Sequence, residues 1–559
     1  MTNSDFRIAF VMYNMLSTER MSVMLLSALA KQHFPNVEVD IFVHSDGRFE
    51  QQVRKFKPDI LAYSAMTGEH SLYLKVAVEA REIGRKIGKK IFQIMGGPHC
   101  TFAPEVLSGS ALDAIGVGEC DVAWVELLSA MSAGRSIDDI PNIVTQSNFH
   151  RVLIPSDLKR ENYIKYRVAN TMERTCRDPV NHVGCLDHLP FLDWRLFLAR
   201  TSFERDNSLL KRTIMTRRGC PYPCTYCFNR VQNALYSGQK TIHNYSIDRV
   251  IAECKEVSHQ WPTEFWKIYD DIAFFSSKGE EGDRLREFAE KWKREINLPF
   301  FVLTRADLVA RDPDILKPLK QAGCQSCTMS IEGGNEYVRN RVLERSMTDE
   351  QVIFSHHLAW DLGIKTFSNI IFSVPVKEEE IEKHHLPARS IDRDIQSVEL
   401  AVRARVTFLE CPILYPYPGT KLGKYCEDNG FFDGNVDKLH QSYQNLSPLD
   451  CFSLEEKIMT QNLALLAMWC GYFGSRKSAF VRNVVSPICL KLVTRVLIKL
   501  RWRWCTKFYF TIYNMLQQWL CGAEIYRPKH RWPFTTWRIG FLHRFKFEYA
   551  KQFPKKRVA

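Results

Sequence analysis

The chain has 559 residues, 45% of them hydrophobic and 25% charged, a globular composition that excludes a disordered or fibrous protein and, by length, implies roughly three or four domains. Its 17 cysteines are odd in number and irregularly spaced. This excludes a disulfide framework and, with no basic stretch, apolar run and cleavage site in MTNSDFRIAFVMY, leads to the expectation of a reducing cytoplasm. The net charge of +13 is uneven: from Ser475 onward 19 Lys and Arg stand against only Glu524 and Glu548, leaving the rest slightly acidic. Such an asymmetry reads as a surface that meets something anionic.

Residues 1–145 alternate apolar strands (RIAFVMY, VEVDIFV, DILAYS, KIFQIM and DAIGV) with amphipathic helices, the clearest over Ser71–Lys86. This alternation predicts an α/β domain of flavodoxin or Rossmann type, a parallel sheet covered on both faces. Ligands bind such sheets at the carboxyl ends of the strands. Three strand ends carry chemistry there: AYSAMTGEH with Ser64 and Thr67, MGGPHCTF with Gly96, Gly97, His99 and Thr101, and GVGECD with Gly118 and Glu119. Paired glycines let a ligand approach the backbone closely.

Residues 146–205 have weak periodicity and read as a linker ending in LDHLPFLDWRLF. From 206 to 430, six strand candidates alternate with helical segments such as Ser246–Val257 and Thr348–Leu362: RTIMT, FWKIYD, FVLTRA, SCTMSI, TFSNIIF and RVTFLE. Six such units predict an open (β/α)6 partial barrel, whose active groups gather at the carboxyl ends of the strands. Immediately after the first strand comes RRGCPYPCTYCFN, placing Cys220, Cys224 and Cys227 in a C-x-x-x-C-x-x-C loop. Three thiolates so spaced can hold an iron–sulfur cluster and leave one iron open, since such clusters normally take four cysteines. Asp270 and Asp271 follow the second strand, Arg305 ends the third, Glu332 follows the fourth in SIEGGNE, and Asn369 lies in the fifth. Cys324 and Cys327 form a C-x-x-C pair without two further ligands and read as packed thiols.

The cysteine loop, with Tyr226 just before its last cysteine, resembles that of the radical SAM superfamily, and the first domain resembles the cobalamin-binding domain that precedes many of those enzymes. The resemblance implies that Cys220, Cys224 and Cys227 hold a 4Fe-4S cluster whose open iron binds S-adenosyl-L-methionine. It further implies that Asp270, Asp271, Arg305, Glu332 and Asn369 hold the ends of that molecule. Carboxylates suit its amine and ribose hydroxyls, and an arginine suits its carboxylate. Ser64, Thr67, Gly96 and Gly97 would line the pocket for the nucleotide tail of cobalamin, with His99, Thr101, Gly118 and Glu119 beside them. The D-x-H-x-x-G motif that supplies a histidine to cobalt in many cobalamin domains is absent; neither His44 nor His70 has its context. Two departures from the family pattern stand in the barrel: IEGG in place of IESG, and SVPVKEE where a G-x-P-G-E turn is usual.

The function so implied is that of a cobalamin-dependent radical SAM methyltransferase acting on an unactivated carbon through a 5′-deoxyadenosyl radical and methylcobalamin. An oxidative cyclase or rearrangement enzyme with the same cofactors is the alternative, and a non-catalytic cobalamin sensor a more distant one. The partners are a small-molecule or lipid-like substrate and an electron donor such as flavodoxin or ferredoxin; no nucleic acid is expected. Residues 431–559 read as a mainly helical, basic region. Lys491, Arg495 and Lys499 recur at every fourth residue on an apolar background, on one helical face. That pattern has two readings: a helical cap showing its basic face to water, or a peripheral contact with the inner face of the membrane.

Overall fold

The computed structural model describes residues 6–14, 19–155, 166–168, 185–201, 210–236, 238–439 and 443–526. The first sheet contains β1 (Arg7–Met12), β2 (Glu38–Val43), β3 (Ile60–Ser64), β4 (Phe92–Gly96), β5 (Ala114–Gly116) and β6 (Ile143–Thr145), ordered β2-β1-β3-β4-β5-β6. The first five strands run parallel and β6 is an antiparallel edge. β6 is the strand the sequence pattern did not isolate, because three residues carry too little alternation to stand out. Helices α1 (Met21–His33) and α4 (Asp121–Ser132) pack side by side on one face. On the other, α2 (Phe49–Phe56) and α3 (His70–Lys86) bury Val53, Tyr73, Val76 and Ala80 against Ala9, Val11 and Leu61. The parallel sheet buried on both faces accounts for the near-continuous apolar runs of its strands.

The second sheet is an open (β/α)6 partial barrel of β7 (Lys211–Ile214), β8 (Phe265–Ile268), β9 (Phe300–Thr304), β10 (Cys324–Met329), β11 (Lys365–Asn369) and β12 (Phe408–Glu410). All six are parallel and each lies beside its neighbour in sequence. Strand alternation sorts their side chains. Trp266 turns outward to meet Trp194 and Trp292 edge-on at 6.1 and 6.4 Å. Lys267 turns inward, its ammonium 3.9 Å from the ring of Tyr269. Helices α5 (Ile247–Gln260), α6 (Gly279–Lys291), α7 (Leu316–Ala322), α8 (Asp349–Asp361) and α9 (Ser390–Arg403) cover the outside. Thr348 and Gln351 close a capping box on α8, which satisfies two backbone donors that a helix start leaves open. Cys324 and Cys327 are buried thiols of β10.

The C-terminal region is helical, with α10 (Leu454–Gly474), α11 (Ser486–Arg495) and α12 (Arg503–Cys521). α10 packs on α9 and β12, with Leu463, Leu465 and Ala467 fully buried. A last turn, Gly522–Tyr526, closes the amino-terminal end of the barrel: Ser326 Oγ donates to the Ile525 carbonyl at 2.5 Å, Glu524 pairs with Lys365, and Tyr526 meets Phe265 and Phe301 at 5.8 and 5.5 Å. Among the described residues no helix is long and apolar enough to cross a membrane.

The turn after β11, where SVPVKEE departs from the family pattern, is anchored by Asp394 of α9. Both carboxylate oxygens accept from the Ser373 amide at 3.2 Å. Ser373 itself has φ +59°, a left-handed conformation that a non-glycine residue adopts only when its surroundings impose it. Burial pushes the Asp394 carboxyl up to about 8. The folded chain therefore keeps a proton that the unfolded chain has released at any pH between the ordinary aspartate value and about 8. Stability consequently falls as pH rises through that window. Asp394→Asn is expected to flatten this part of the profile, measured as the denaturant midpoint across the same pH range.

Candidate active site

The three cysteines follow β7 on a loop whose entry is pinned by Asp270. Its Oδ1 accepts from the Thr216 and Arg217 amides at 2.6 and 3.1 Å, and its Oδ2 from the Thr216 hydroxyl at 2.7 Å. Fully buried and threefold bonded, Asp270 ties β8 to the cysteine loop, while its neighbour Asp271 acts electrostatically on Cys220 and Cys227. Cys220 and Cys224 are buried and Cys227 sits at the start of the helix Phe228–Leu235. Burial pushes the Cys220 thiol up to about 11 and Cys227 to about 12; coordination to a metal removes such protons outright. The protein also supplies counter-charge, as Arg305 and Arg345 each direct an Nη1 at Cys224 Sγ, at 3.5 and 3.7 Å. Among the described residues no three His, Cys, Asp or Glu side chains converge on a single-ion site. Buried, cation-flanked thiols on one loop suit a cluster, whose cysteine ligands each take a different iron.

The other predicted barrel residues collect around this loop. Arg305 stacks on Tyr222 at 3.7 Å, pairs with Asp307 at 2.9 Å and donates to the Arg345 carbonyl at 2.7 Å. Glu332, buried with φ +64°, forms an isolated bridge with Ile370, which aims its carboxylate at the side chains of Tyr226 and Ser330. Burial raises its pKa, and Arg345 and the Tyr226 hydroxyl oppose that shift. Asn369 donates through Nδ2 to Ser330 Oγ at 3.3 Å. Tyr226, Arg305, Glu332 and Asn369 therefore share one mouth with Cys224. Arg345 and Ser330 belong to the same cluster and were not legible in the sequence, since neither sits in a spaced motif. Of the glycine pair after Glu332, Gly334 is there for packing: a Cβ would lie 2.2 Å from the Ser397 Cα of α9.

Inside the barrel the sequence also gave no sign of Lys267. Burial draws its pKa down, and Glu19 and Glu410 are among the groups opposing that shift. Glu19 is buried with neither carboxylate oxygen hydrogen-bonded, and Tyr269, 43% exposed, stands at the mouth above Lys267.

The first domain holds a cavity of about 310 Å³ between α1, α4 and the strand ends. Ser64, Gly96, Gly97, Gly118 and Glu119 line it together with apolar Leu25, Leu26 and Trp124. Gly97 has φ +98°, and a Cβ there would come within 2.7 Å of the Ala65 carbonyl oxygen, so only glycine leaves this backbone edge open. Thr67, His99 and Thr101 stand behind the cavity lining. Thr101 Oγ1 accepts from the Gly118 amide at 3.0 Å and donates to the Gly97 carbonyl at 3.2 Å. Thr67 Oγ1 lies 3.0 Å from His99 Nδ1, and the His99 ring stacks on His70 at 3.8 Å. Burial draws His99 down to about 3, so it is neutral. An apolar cleft edged by glycine backbone suits an aromatic nucleotide tail. The barrel forms its far wall through Ile214, Met215, Arg218 and Tyr245. Arg218 pairs with Asp121 at 2.5 Å and lies two residues before Cys220, so the cavity and the cysteine loop share a wall.

Comparison with known proteins agrees with this geometry. The model of the radical SAM superfamily matches residues 214–386, and that of the B12 binding domain matches residues 16–128. The chain is a radical SAM protein with a B12 binding domain ahead of its radical SAM domain, and a 4Fe-4S cluster, S-adenosyl-L-methionine and cobalamin are the cofactors of those domains. It is 24% identical over 384 residues to the uncharacterized methyltransferase PH0819 of Pyrococcus horikoshii, covering 67% of this chain and 71% of that one. In fold it is similar to the radical S-adenosylmethionine methyltransferase TsrM from Kitasatospora setae with cobalamin and a 4Fe-4S cluster bound, at TM-score 0.57 and 13% identity over 94% of this chain and 99% of that one. It is also similar to the cobalamin-dependent S-adenosylmethionine radical enzyme OxsB with aqua-cobalamin and S-adenosylmethionine bound, at TM-score 0.54 and 13% identity over 98% and 84%.

Alanine at Cys220, Cys224 or Cys227 is expected to abolish the visible charge-transfer absorbance of the cluster after anaerobic reconstitution while cobalamin is retained. Gly97→Ala is expected to do the reverse, lowering bound corrin about tenfold, as a loss of roughly 1.4 kcal/mol would, with iron per chain unchanged. Iron assay and the corrin absorbance bands check both.

Proposed function

We propose that the protein is a cobalamin-dependent methyltransferase that acts on an unactivated carbon of a small or lipid-like substrate, with flavodoxin or ferredoxin as electron donor. The observation that carries this reading is the shared wall: Arg218 lines the glycine-edged cavity and stands two residues before the first cluster cysteine. A methyl carrier held in that cavity and a radical source held on that loop would adjoin and serve one substrate. The 24% identity to the uncharacterized methyltransferase PH0819 supports the same choice.

When bound, the cluster with S-adenosyl-L-methionine supplies a hydrogen-abstracting radical and cobalamin supplies the methyl group. The chain supplies placement. Cys220, Cys224 and Cys227 hold the cluster, and the guanidiniums of Arg305 and Arg345 offset thiolate charge that would otherwise be costly to bury. Glu332, Asp271 and Asn369 receive the amine and hydroxyl groups of S-adenosyl-L-methionine, each an acceptor matched to a donor. Gly96, Gly97 and Ser64 open the cavity edge for the cobalamin tail, and Thr67, His99 and Thr101 brace that edge from behind.

Anaerobic reconstitution with iron, sulfide and hydroxocobalamin, followed by reductant and methyl-deuterated S-adenosyl-L-methionine, tests this with mass spectrometry. The expected products are 5′-deoxyadenosine together with deuterated methylcobalamin. Deoxyadenosine without labelled cobalamin would replace methyl transfer with the cyclase or rearrangement reading. Neither product from a cluster-loaded sample would overturn the enzyme assignment.

A further inference from the structure

Among the described residues, one outer face of the C-terminal helices is used by neither the fold nor the cofactors. It begins in the π-helical turn Val481–Val485 and continues along α11. Phe480, Val484, Ile488, Leu492 and Val496, at every fourth residue, are 67%, 43%, 61%, 47% and 49% exposed. Ser486, Val493 and Thr494 are buried on the same segment. A surface helix normally turns its apolar stripe to the core; this one turns a second stripe outward. Beside that stripe stand exposed Lys491, Arg495 and Lys499, with Lys477 at its start, and none of the four has an ion-pair partner among the described residues. Positions 488, 491, 492, 495 and 496 share one helical face, so cations and apolar side chains alternate on a single exposed strip. The chain then runs into Trp502 and Trp504, both exposed and stacked at 6.1 Å.

Charge narrows the occupant. No Asp or Glu occurs from Ser475 to Ala523, so a second copy docking through this same face would meet it with like charge. Residues 527–559 contain one acid, Glu548, among many Lys and Arg, and cannot neutralise the strip either. An external anionic surface complements the strip in charge. A polynucleotide would use the cations but leave the apolar stripe wet. An anionic bilayer uses both, with lysine and arginine at the headgroups, aliphatic side chains below them and tryptophan at the boundary. We propose that the strip from Phe480 to Lys499 docks the protein on an anionic lipid surface as a peripheral contact. The proposal is independent of the methyl-transfer reading, since it concerns the outer face of the C-terminal helices.

Vesicle flotation of the full-length reconstituted protein tests it, with phosphatidylglycerol-rich vesicles against phosphatidylcholine alone. Binding to the anionic vesicles at low salt and release at high salt are expected. Lys491→Gln/Arg495→Gln/Lys499→Gln is expected to lower the partition coefficient about a hundredfold, and Ile488→Ser/Leu492→Ser about tenfold. All five side chains are accessible at the surface, so bound iron and corrin should be unchanged and report intact folding. Failure of the wild-type protein to float with anionic vesicles would overturn the proposal. So would floating that neither variant weakens, or polynucleotide binding that is stronger than vesicle binding and indifferent to Ile488→Ser/Leu492→Ser. A dimer in sedimentation that the Ile488→Ser/Leu492→Ser variant dissociates would assign the face to a second copy instead.

Discussion

The largely buried pairing of Arg218 with Asp121 fixes where the two halves of this molecule meet. Arg218 leaves the barrel between β7 and the cysteine loop, and Asp121 opens α4 of the first domain. Burying two charges costs several kcal/mol each unless they are paired with good geometry. Once paired at 2.5 Å, neither can leave without exposing the other. Around them the Glu119 amide donates to the Tyr236 hydroxyl at 2.7 Å, and Asn142 donates to the Val117 carbonyl at 2.6 Å. Tyr236 immediately follows the helix Phe228–Leu235, which Cys227 precedes. Both ends of the cluster-bearing segment are thus tied to the wall of the cavity, which makes the cavity and the cysteine loop one structural unit.

Within the barrel, charge compensation organises the mouth. Thiols and carboxylates gather where burial disfavours their ionised forms, and Arg305 and Arg345 restore the balance. Each contacts Cys224 Sγ, and each also donates to a backbone carbonyl, of Arg345 and Ser330 respectively, at 2.7 Å. These backbone bonds hold the guanidiniums still, so the counter-charge is pre-organised rather than recruited when the cluster arrives. Asp270 does the complementary work beneath, using its carboxylate on Thr216 and Arg217.

What the sequence made legible was what is local. The cysteine spacing, the glycine pair at Gly96 and Gly97, and the strand–helix alternation each reside in a short window, and the cysteine loop and the two sheets appear where that alternation places them. That Arg305, Glu332 and Asn369 would lie near the cysteine loop was legible because strand ends in a barrel converge whatever the intervening sequence, and Tyr226 belongs to the cysteine motif itself. Arg345 and Arg218 were not, because their partners lie over ninety positions away, at Cys224 and Asp121. Asp270 and Asp271 are adjacent in sequence, but the backbone directs Asp270 into the loop below, a distinction that requires the fold. Lys267 read as an ordinary strand residue until the alternation of β8 placed it inside the barrel.

The C-terminal region shows why its composition admitted two readings. It is apolar because one side of it is structural: α10 is buried on α9 and β12, and the turn ending in Tyr526 fills the end of the barrel opposite the cysteines. Lys211 and Lys267 lie over the Tyr526 ring at 4.6 and 5.8 Å, so this aromatic plug also covers two interior cations that would otherwise face water. Closing a barrel requires apolar surface on one side of a helix pair only. The outward stripe from Phe480 to Val496 exceeds that requirement, and no described acid offsets the cations beside it. A sequence reports only the total apolar content of such a segment; its division between an inner face that closes the barrel and an outer face left in solvent is settled by which residues α10 covers.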